Sequence, residues 1–143
     1  MSIESILRRK GPDVTTIGPE ANIKSAAGWL RAKNIGALVV TSGNAILGLI
    51  SEREIVHAIS RYGEIATSMP VSEIMQHGAI TVSPAETVSR VMNLMTRHHV
   101  RHMPVIHDGK LAGMISIGDV VKNRLDDLEL ETNVLRDARV AAR

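Results

Sequence analysis

The chain has 143 residues, enough for one domain or two small halves that share a core, and its 17 Lys and Arg against 15 Asp and Glu leave a net charge of only +2. That balance excludes a strong electrostatic pull toward nucleic acid or anionic lipid, and Trp29 and Tyr62, the only aromatics, are too few for a base-stacking platform. Zero cysteines exclude disulfides, thiolate metal sites and cysteine nucleophiles, and with so few aromatics the core must be aliphatic.

Along the chain, Met1–Lys10 ends in Arg8-Arg9-Lys10 with no apolar run after it, so neither a signal peptide nor a membrane span is expected. The expected compartment is the cytoplasm, and the basic run reads as a solvated face. Ile23, Ala26, Ala27 and Leu30 stand at i, i+3, i+4 and i+7, which predicts an amphipathic helix. Ala37–Val40 and Ile46–Ile50, around Ser42-Gly43-Asn44, predict two paired strands, with a second helix after Ser51. Arg61–Pro70 reads as a linker. Val88, Val91, Met92 and Met95 then repeat the helical stripe, Met103–Ile106 and Leu111–Ile115 form two more runs around Asp108-Gly109, and a helix starts after Ser116. Val121, Leu125, Leu128, Thr132 and Leu135 continue that helix at alternating spacings of four and three. This tail reads either as a terminal helix packed back on its own domain or as a dimer contact.

The order of elements repeats because the sequence does. A shift of 65 residues lays Val14–Ser60 on Ala79–Leu125 without a gap, matching Pro19 to Pro84, Val40 to Val105, Gly48 to Gly113, Ile50 to Ile115 and Ser51 to Ser116. Apolar type is kept between these identities, as in Ile23/Val88, Leu30/Met95 and Ile46/Leu111. Each copy is roughly strand, helix, strand, strand, helix, too small to bury its own sheet face, so the two halves are expected to pack on each other.

The strongest local motif is Gly-apolar-apolar-Ser-x-x-acid, present as Gly48-Leu49-Ile50-Ser51-Glu52-Arg53-Glu54 and Gly113-Met114-Ile115-Ser116-Ile117-Gly118-Asp119. Ser followed three residues later by Glu is a helix capping box, and Ser51-x-x-Glu54 fits it. The same geometry suits a nucleotide. A helix N-terminus welcomes phosphate, a carboxylate one turn in can accept two hydrogen bonds from a ribose diol, and the glycine permits close backbone approach.

These residues carry a family resemblance. The doubled unit resembles a tandem pair of CBS domains, the regulatory module named after cystathionine β-synthase. Val71-Ser72-Glu73-Ile74-Met75 resembles the segment that opens many such domains, with Ile3-Glu4-Ser5-Ile6-Leu7 as its counterpart in copy one, and Val100-Arg101-His102-Met103-Pro104-Val105 matches the second-strand motif. The resemblance implies an α/β (α+β) fold of two β-α-β-β-α repeats, residues 1–62 and 71–126, related by a pseudo-twofold axis. A linker at 63–70 and a C-terminal helical tail at 127–143 complete the expected organisation.

The resemblance further implies two inter-repeat clefts for an adenosine-containing ligand: AMP foremost, with ADP, ATP, NAD(H) or S-adenosylmethionine as alternatives. Asp119 would hold the ribose hydroxyls, Ser116 and Gly118 would approach the phosphate, and Arg101 and His102, followed by Pro104, would lie on the phosphate side. Adenine would meet backbone at Val14, Thr15, Thr16 and Ile17 and the walls formed by Ile35, Gly36, Ala37 and Ile115. The mirrored cleft would use Ala79, Ile80, Thr81, Ile50, Ser51, Arg53 and Glu54. Copy one departs from the pattern where Glu54 replaces the usual Asp and Gly36-Ala37 replace Arg101-His102, so that half should offer fewer phosphate donors, with Arg53 either supplying charge beside Ser51 or pointing to solvent.

His98, His99, His102 and His107 show no metal-binding spacing, and no Ser/His/Asp triad, Walker sequence or Gly-x-Gly-x-x-Gly fingerprint is visible, so no metal and no catalysis are expected. The expected function is a non-catalytic nucleotide sensor, most simply a homodimer, that signals to a regulated protein in trans. The alternative is a dimeric scaffold without a ligand. No nucleic-acid or membrane partner is expected.

Overall fold

A computed structural model describes residues 1–11 and 13–141. The predicted stripes form α2 (Ile23–Lys33) and α5 (Val88–His98), preceded in the chain by α1 (Ile3–Lys10) and by the two-residue strand β1 (Thr16–Ile17). The predicted strand pairs are β2 (Ala37–Ser42) with β3 (Ala45–Ser51), and β5 (His102–His107) with β6 (Lys110–Ser116). Helix α3 (Glu52–Tyr62) follows β3, α4 (Val71–Ile74) and β4 (Gln76–His77) open the second half, and α6 (Ile117–Ala141) follows β6. The stretch read as a linker carries a 3₁₀ helix, Gly63–Ser68, anchored by the buried Ala66.

The 65-residue repeat extends to irregular detail. Both helices α2 and α5 end on a left-handed residue, Asn34 at φ 52° and His99 at φ 54°, and both hairpins carry a register shift at equivalent places, Val40/Thr41 and Val105/Ile106. In the second hairpin Asp108 and Gly109 both have positive φ, 50° and 74°, the backbone that an Asp-Gly type I′ turn requires. The parallel pairing of Ile17 with Val40 recurs as a single bridge between Val82 and Val105.

The opening segments are exchanged between the halves. Ile3 and Ile6 of α1 are buried in the core of the second copy with Val88, Val91, Met103 and Ile115, while Val71 and Met75 are buried in the core of the first with Ile23, Leu38 and Ile50. Matching backbone bonds fix both exchanges: Ile3 N–H donates to Glu86 at 2.9 Å as Val71 N–H donates to Ala21 at 2.7 Å. The glycine of each repeated motif serves this docking. A Cβ at Gly113 would stand 2.5 Å from the Leu7 side chain of α1, and one at Gly48 would run into the Gln76 carbonyl of β4. Close approach by another part of the chain, rather than by a ligand, accounts for both glycines.

Strand alternation sends Leu38, Val40 and Ile50 into the helix-covered core of the first half, and Ala37, Val39 and Leu49 to the opposite face, where they pack with Met114 of the second half. This inter-half layer is where clefts between the sheets must open. At the far end, α6 touches the core through Val120 and Asn123, but residues 129–140 are exposed throughout, so the tail does not pack back on its own domain. Residues 142–143 of the expected tail lie outside the described residues.

Candidate functional site

Two cavities open at the inter-half layer and occupy pseudo-equivalent positions. One, of about 330 Å³, is lined among others by Lys10, Asp13, Val14, Thr15, Ile35, Gly36, Ala37, His102, Met114, Ser116 and Asp119. The other, of about 420 Å³, is lined by Gly36, Leu49, Ser51, Glu52, Arg53, Gln76, His99, Arg101 and His102. The repeat shift carries Gly36, Ala37, Met114 and Ser116 of the first onto Arg101, His102, Leu49 and Ser51 of the second. The cavities meet at Gly36 and His102, where a Cβ on Gly36 would lie 3.0 Å from His102 Nε2.

Eight residues named from sequence, Val14, Thr15, Ile35, Gly36, Ala37, His102, Ser116 and Asp119, thus line one cavity, and Ser51 and Arg53 line the other. Arg101 lies in the Ser51 cavity rather than with Asp119, so the half expected to be poor in phosphate donors holds both guanidiniums. The reason is the exchange of walls across the pseudo-twofold: each cavity is closed by the β-strand start of the other copy. Ile115 and Ile50 are fully buried in the helix-side cores and face away, and the next residues back, Met114 and Leu49, face the cavities instead. Period-two alternation makes such a one-residue offset reverse the face. Ile17 is buried in the first core, Thr16 and Thr81 are exposed, Ala79 packs in the inter-half layer and Ile80 on the second core. Pro104 is buried on β5, and Gly118 lies exposed in the first turn of α6. Glu54, half-buried, lines neither cavity.

The two helix starts differ. Ser116 and Asp119 make the reciprocal capping box: Ser116 N–H donates to Asp119 Oδ2 at 2.9 Å, and Asp119 N–H donates to Ser116 Oγ at 3.2 Å. Ser51, the better match by sequence, makes no side-chain bond to backbone, and its hydroxyl donates to the Glu54 carboxylate. The extra methylene of Glu54 brings its carboxylate to the hydroxyl itself.

Sequence reading missed Lys10. Its Nζ donates to Asp119 Oδ2 at 2.7 Å and to the Met114 carbonyl at 2.8 Å, and beside it Arg9 Nη1 pairs with Asp126 Oδ2 at 3.0 Å. Thus the basic run is exposed as expected, and two of its members also pair with acids of α6, because α1 docks on the second copy. Partners more than 100 residues away leave no local signal.

Electrostatics follow from these contacts. Burial disfavours the Asp119 carboxylate, but the Lys10 ammonium and the Ser116 N–H outweigh it and hold the acid below its ordinary 3.8. Burial, aided by Lys10, pushes His102 below 6.5 against the pull of Glu54, Asp119 and Glu52, so its imidazole is neutral at pH 7. Among the described residues no three His, Asp or Glu are grouped to hold a metal ion, and no helix is long and apolar enough to cross a membrane.

A family model described as the CBS domain matches residues 3–61 and again residues 71–126. The chain belongs to the CBS domain family. The CBS domain-containing protein CBSX3, mitochondrial, of Arabidopsis thaliana is 44% identical over 94 residues, which span 62% of this chain and 46% of that relative. The crystal structure of the CBS-domain-containing protein ATU1752 from Agrobacterium tumefaciens is 42% identical, with a TM-score of 0.85 over 87% of this chain and 99% of that one. At 22% identity, a CBS domain pair of protein MJ0100, solved in complex with 5′-methylthioadenosine and S-adenosylmethionine, shares the fold with a TM-score of 0.76 over 85% of this chain and 98% of that one.

Proposed function

We propose that this CBS pair is a non-catalytic regulatory module that binds one adenosine-containing ligand across the two joined cavities, AMP before ADP, ATP, NAD(H) or S-adenosylmethionine. The observation that carries the reading is the placing of functional groups across a shared wall: Asp119, with Asp13 and Lys10, on one side of Gly36 and His102, and Arg53 and Arg101, with Glu52, on the other. A carboxylate suits the ribose diol and guanidiniums suit phosphate, so the ligand lies with its nucleoside toward Asp119 and its phosphate toward the arginines. Val14, Ala37 and Met114 offer the aliphatic surface against which adenine packs. The fold of MJ0100, whose pair was solved with two adenosine derivatives, is compatible with this reading.

The ligand then acts by favouring one arrangement of the halves, or of a homodimer, over another, and a regulated protein reads the difference. Exposed Val56 and Ile59 on α3 and Val121 and Leu125 on α6 are apolar surface of the kind a second copy would cover. Titration calorimetry with AMP on the wild type, Asp119→Asn and Arg53→Ala/Arg101→Ala tests the site. Each variant should weaken AMP at least tenfold, while the double arginine variant should leave adenosine binding unchanged. AMP binding that ignores both variants would refute the reading.

A further inference from the structure

Lys10 stands where the proposed ligand must go. Its ammonium and the Ser116 N–H both bond to the same atom, Asp119 Oδ2, at 2.7 and 2.9 Å. A carboxylate oxygen has about two lone-pair sites, so Oδ2 is saturated and a ribose finds only Oδ1. A diol that grips a carboxylate through both hydroxyls needs both oxygens.

We infer that Lys10 is a tethered competitor for the ribose site, a latch that must leave Asp119 before a nucleoside binds through its full diol. The inference rests on the reading of Asp119 as the ribose carboxylate. The latch is held from both ends: α1 is anchored by Ile3 and Ile6 in the second core, and Nζ also bonds to the Met114 carbonyl at the cavity wall. It is also weak enough to open, because the Lys10 and Asp119 side chains keep 35% and 23% of their exposure and water competes for both charges. A ligand therefore does two things at once. It fills the cleft, and it frees the C-terminal end of α1 from the first turn of α6, joining ligand occupancy to a movement at the helix pair also tied by Arg9 and Asp126. Lys10 thereby also sets specificity, since the docked lysine lowers affinity for the ribose hydroxyls while leaving the adenine wall open.

The test uses neutral adenosine and 2′-deoxyadenosine, which avoid any direct effect of Lys10 charge on phosphate, with the full chain as wild type, Lys10→Met, Lys10→Gln and Asp119→Asn. Both Lys10 variants should bind adenosine about tenfold more tightly than the wild type, a change of about 1.4 kcal/mol. Removal of the 2′-hydroxyl should cost the variants about tenfold and the wild type much less. Higher ionic strength should tighten adenosine binding to the wild type only, because it weakens the Lys10 ion pair, and saturating adenosine should speed acetylation of Lys10 read by mass spectrometry. If Asp119→Asn abolishes binding yet the Lys10 variants bind no more tightly, and acetylation is unchanged, the latch is overturned and the ribose site stands. Adenosine binding that survives Asp119→Asn unchanged, or that is undetectable at millimolar concentration in every protein, overturns the site and the latch together.

Discussion

Replacing Gly48 by alanine and, separately, Gly113 by alanine makes the same chemical change at two positions that the repeat makes equivalent, yet the neighbours differ. The new Cβ at residue 48 would overlap the backbone carbonyl of Gln76, with the carbonyl carbon at 3.1 Å and the Gly78 nitrogen at 3.4 Å. Carbon atoms rest at about 3.5–4.0 Å, so β4 must withdraw from β3 by about 1 Å, and backbone cannot swing aside as a side chain can. That movement endangers the pairings of Gly48 with His77 and Leu49 with Gln76, and the Gly78 N–H bond to Leu47 at 3.0 Å. Two or three hydrogen bonds at about 1 kcal/mol each, less the roughly 0.5 kcal/mol that alanine gains by restricting the unfolded chain, give a net loss of about 2 kcal/mol. At residue 113 the Cβ meets only the end of Leu7 at 2.5 Å, which can rotate, and the expected loss is about 1 kcal/mol. Urea unfolding of both variants against the wild type, with a common slope, measures the difference. A Gly113→Ala loss equal to or larger than that of Gly48→Ala would refute the assignment of these glycines to the docking of the opening segments.

Ile6→Ala, in α1 but 6% exposed within the second core, should cost about 2–4 kcal/mol in urea unfolding, far more than an exposed position on α1 such as Glu4→Ala. His102 has a folded pKa below its unfolded value, so the unfolded state binds the extra proton: stability should fall as pH drops below about 6.5 and level off beneath the folded pKa, and His102→Gln should flatten that part of the thermal-melt profile. Asp119 has the same sign in the acid range: its contribution is present above about pH 4 and lost as pH falls below it, so Asp119→Asn should melt with a weaker pH dependence below about pH 4. Truncating the chain after Glu129, which removes the exposed residues 130–140 with the end of the chain, should leave the stability of a dilute sample in urea unfolding within about 0.5 kcal/mol of the wild type.

The architecture was legible because both signals it needs are local or periodic. Apolar residues at i, i+3, i+4 and i+7 locate α2 and α5, Asp108-Gly109 locates a turn, and the 65-residue shift pairs the halves. The lining residues Val14, Thr15, Ala37, Ser116 and Asp119 follow from motifs on a repeated fold. What could not be read is what passes between halves. Nothing near Ile3 in sequence indicates that α1 belongs beside α5, and without that exchange Lys10 has no reason to meet Asp119. Arg101 reaches the cavity of Ser51 by another crossing, since each cavity takes a wall from the β-strand start of the other copy. The sequence points to Ile115 and Ile50 rather than Met114 and Leu49 because a hydrophobic run does not declare which of its alternate residues faces which layer. The capping box shows a subtler limit: Ser51 and Glu54 match the pattern by residue type, whereas Ser116 and Asp119 make the bonds.

If Asp119 holds the ribose of an adenosine-containing ligand, as proposed, a thermal-shift panel of AMP, ADP, ATP, NAD, NADH and S-adenosylmethionine on wild type and Asp119→Asn will show it. At about 100 times its dissociation constant a ligand stabilises by roughly 2.7 kcal/mol, a rise of about 5–10 °C for a chain of this size. At least one of the six should give that rise, AMP the largest, and Asp119→Asn should lose it. No shift with any of them would contradict nucleotide binding and favour a ligand-free dimeric scaffold, and a shift of the same size in Asp119→Asn would place the ligand elsewhere.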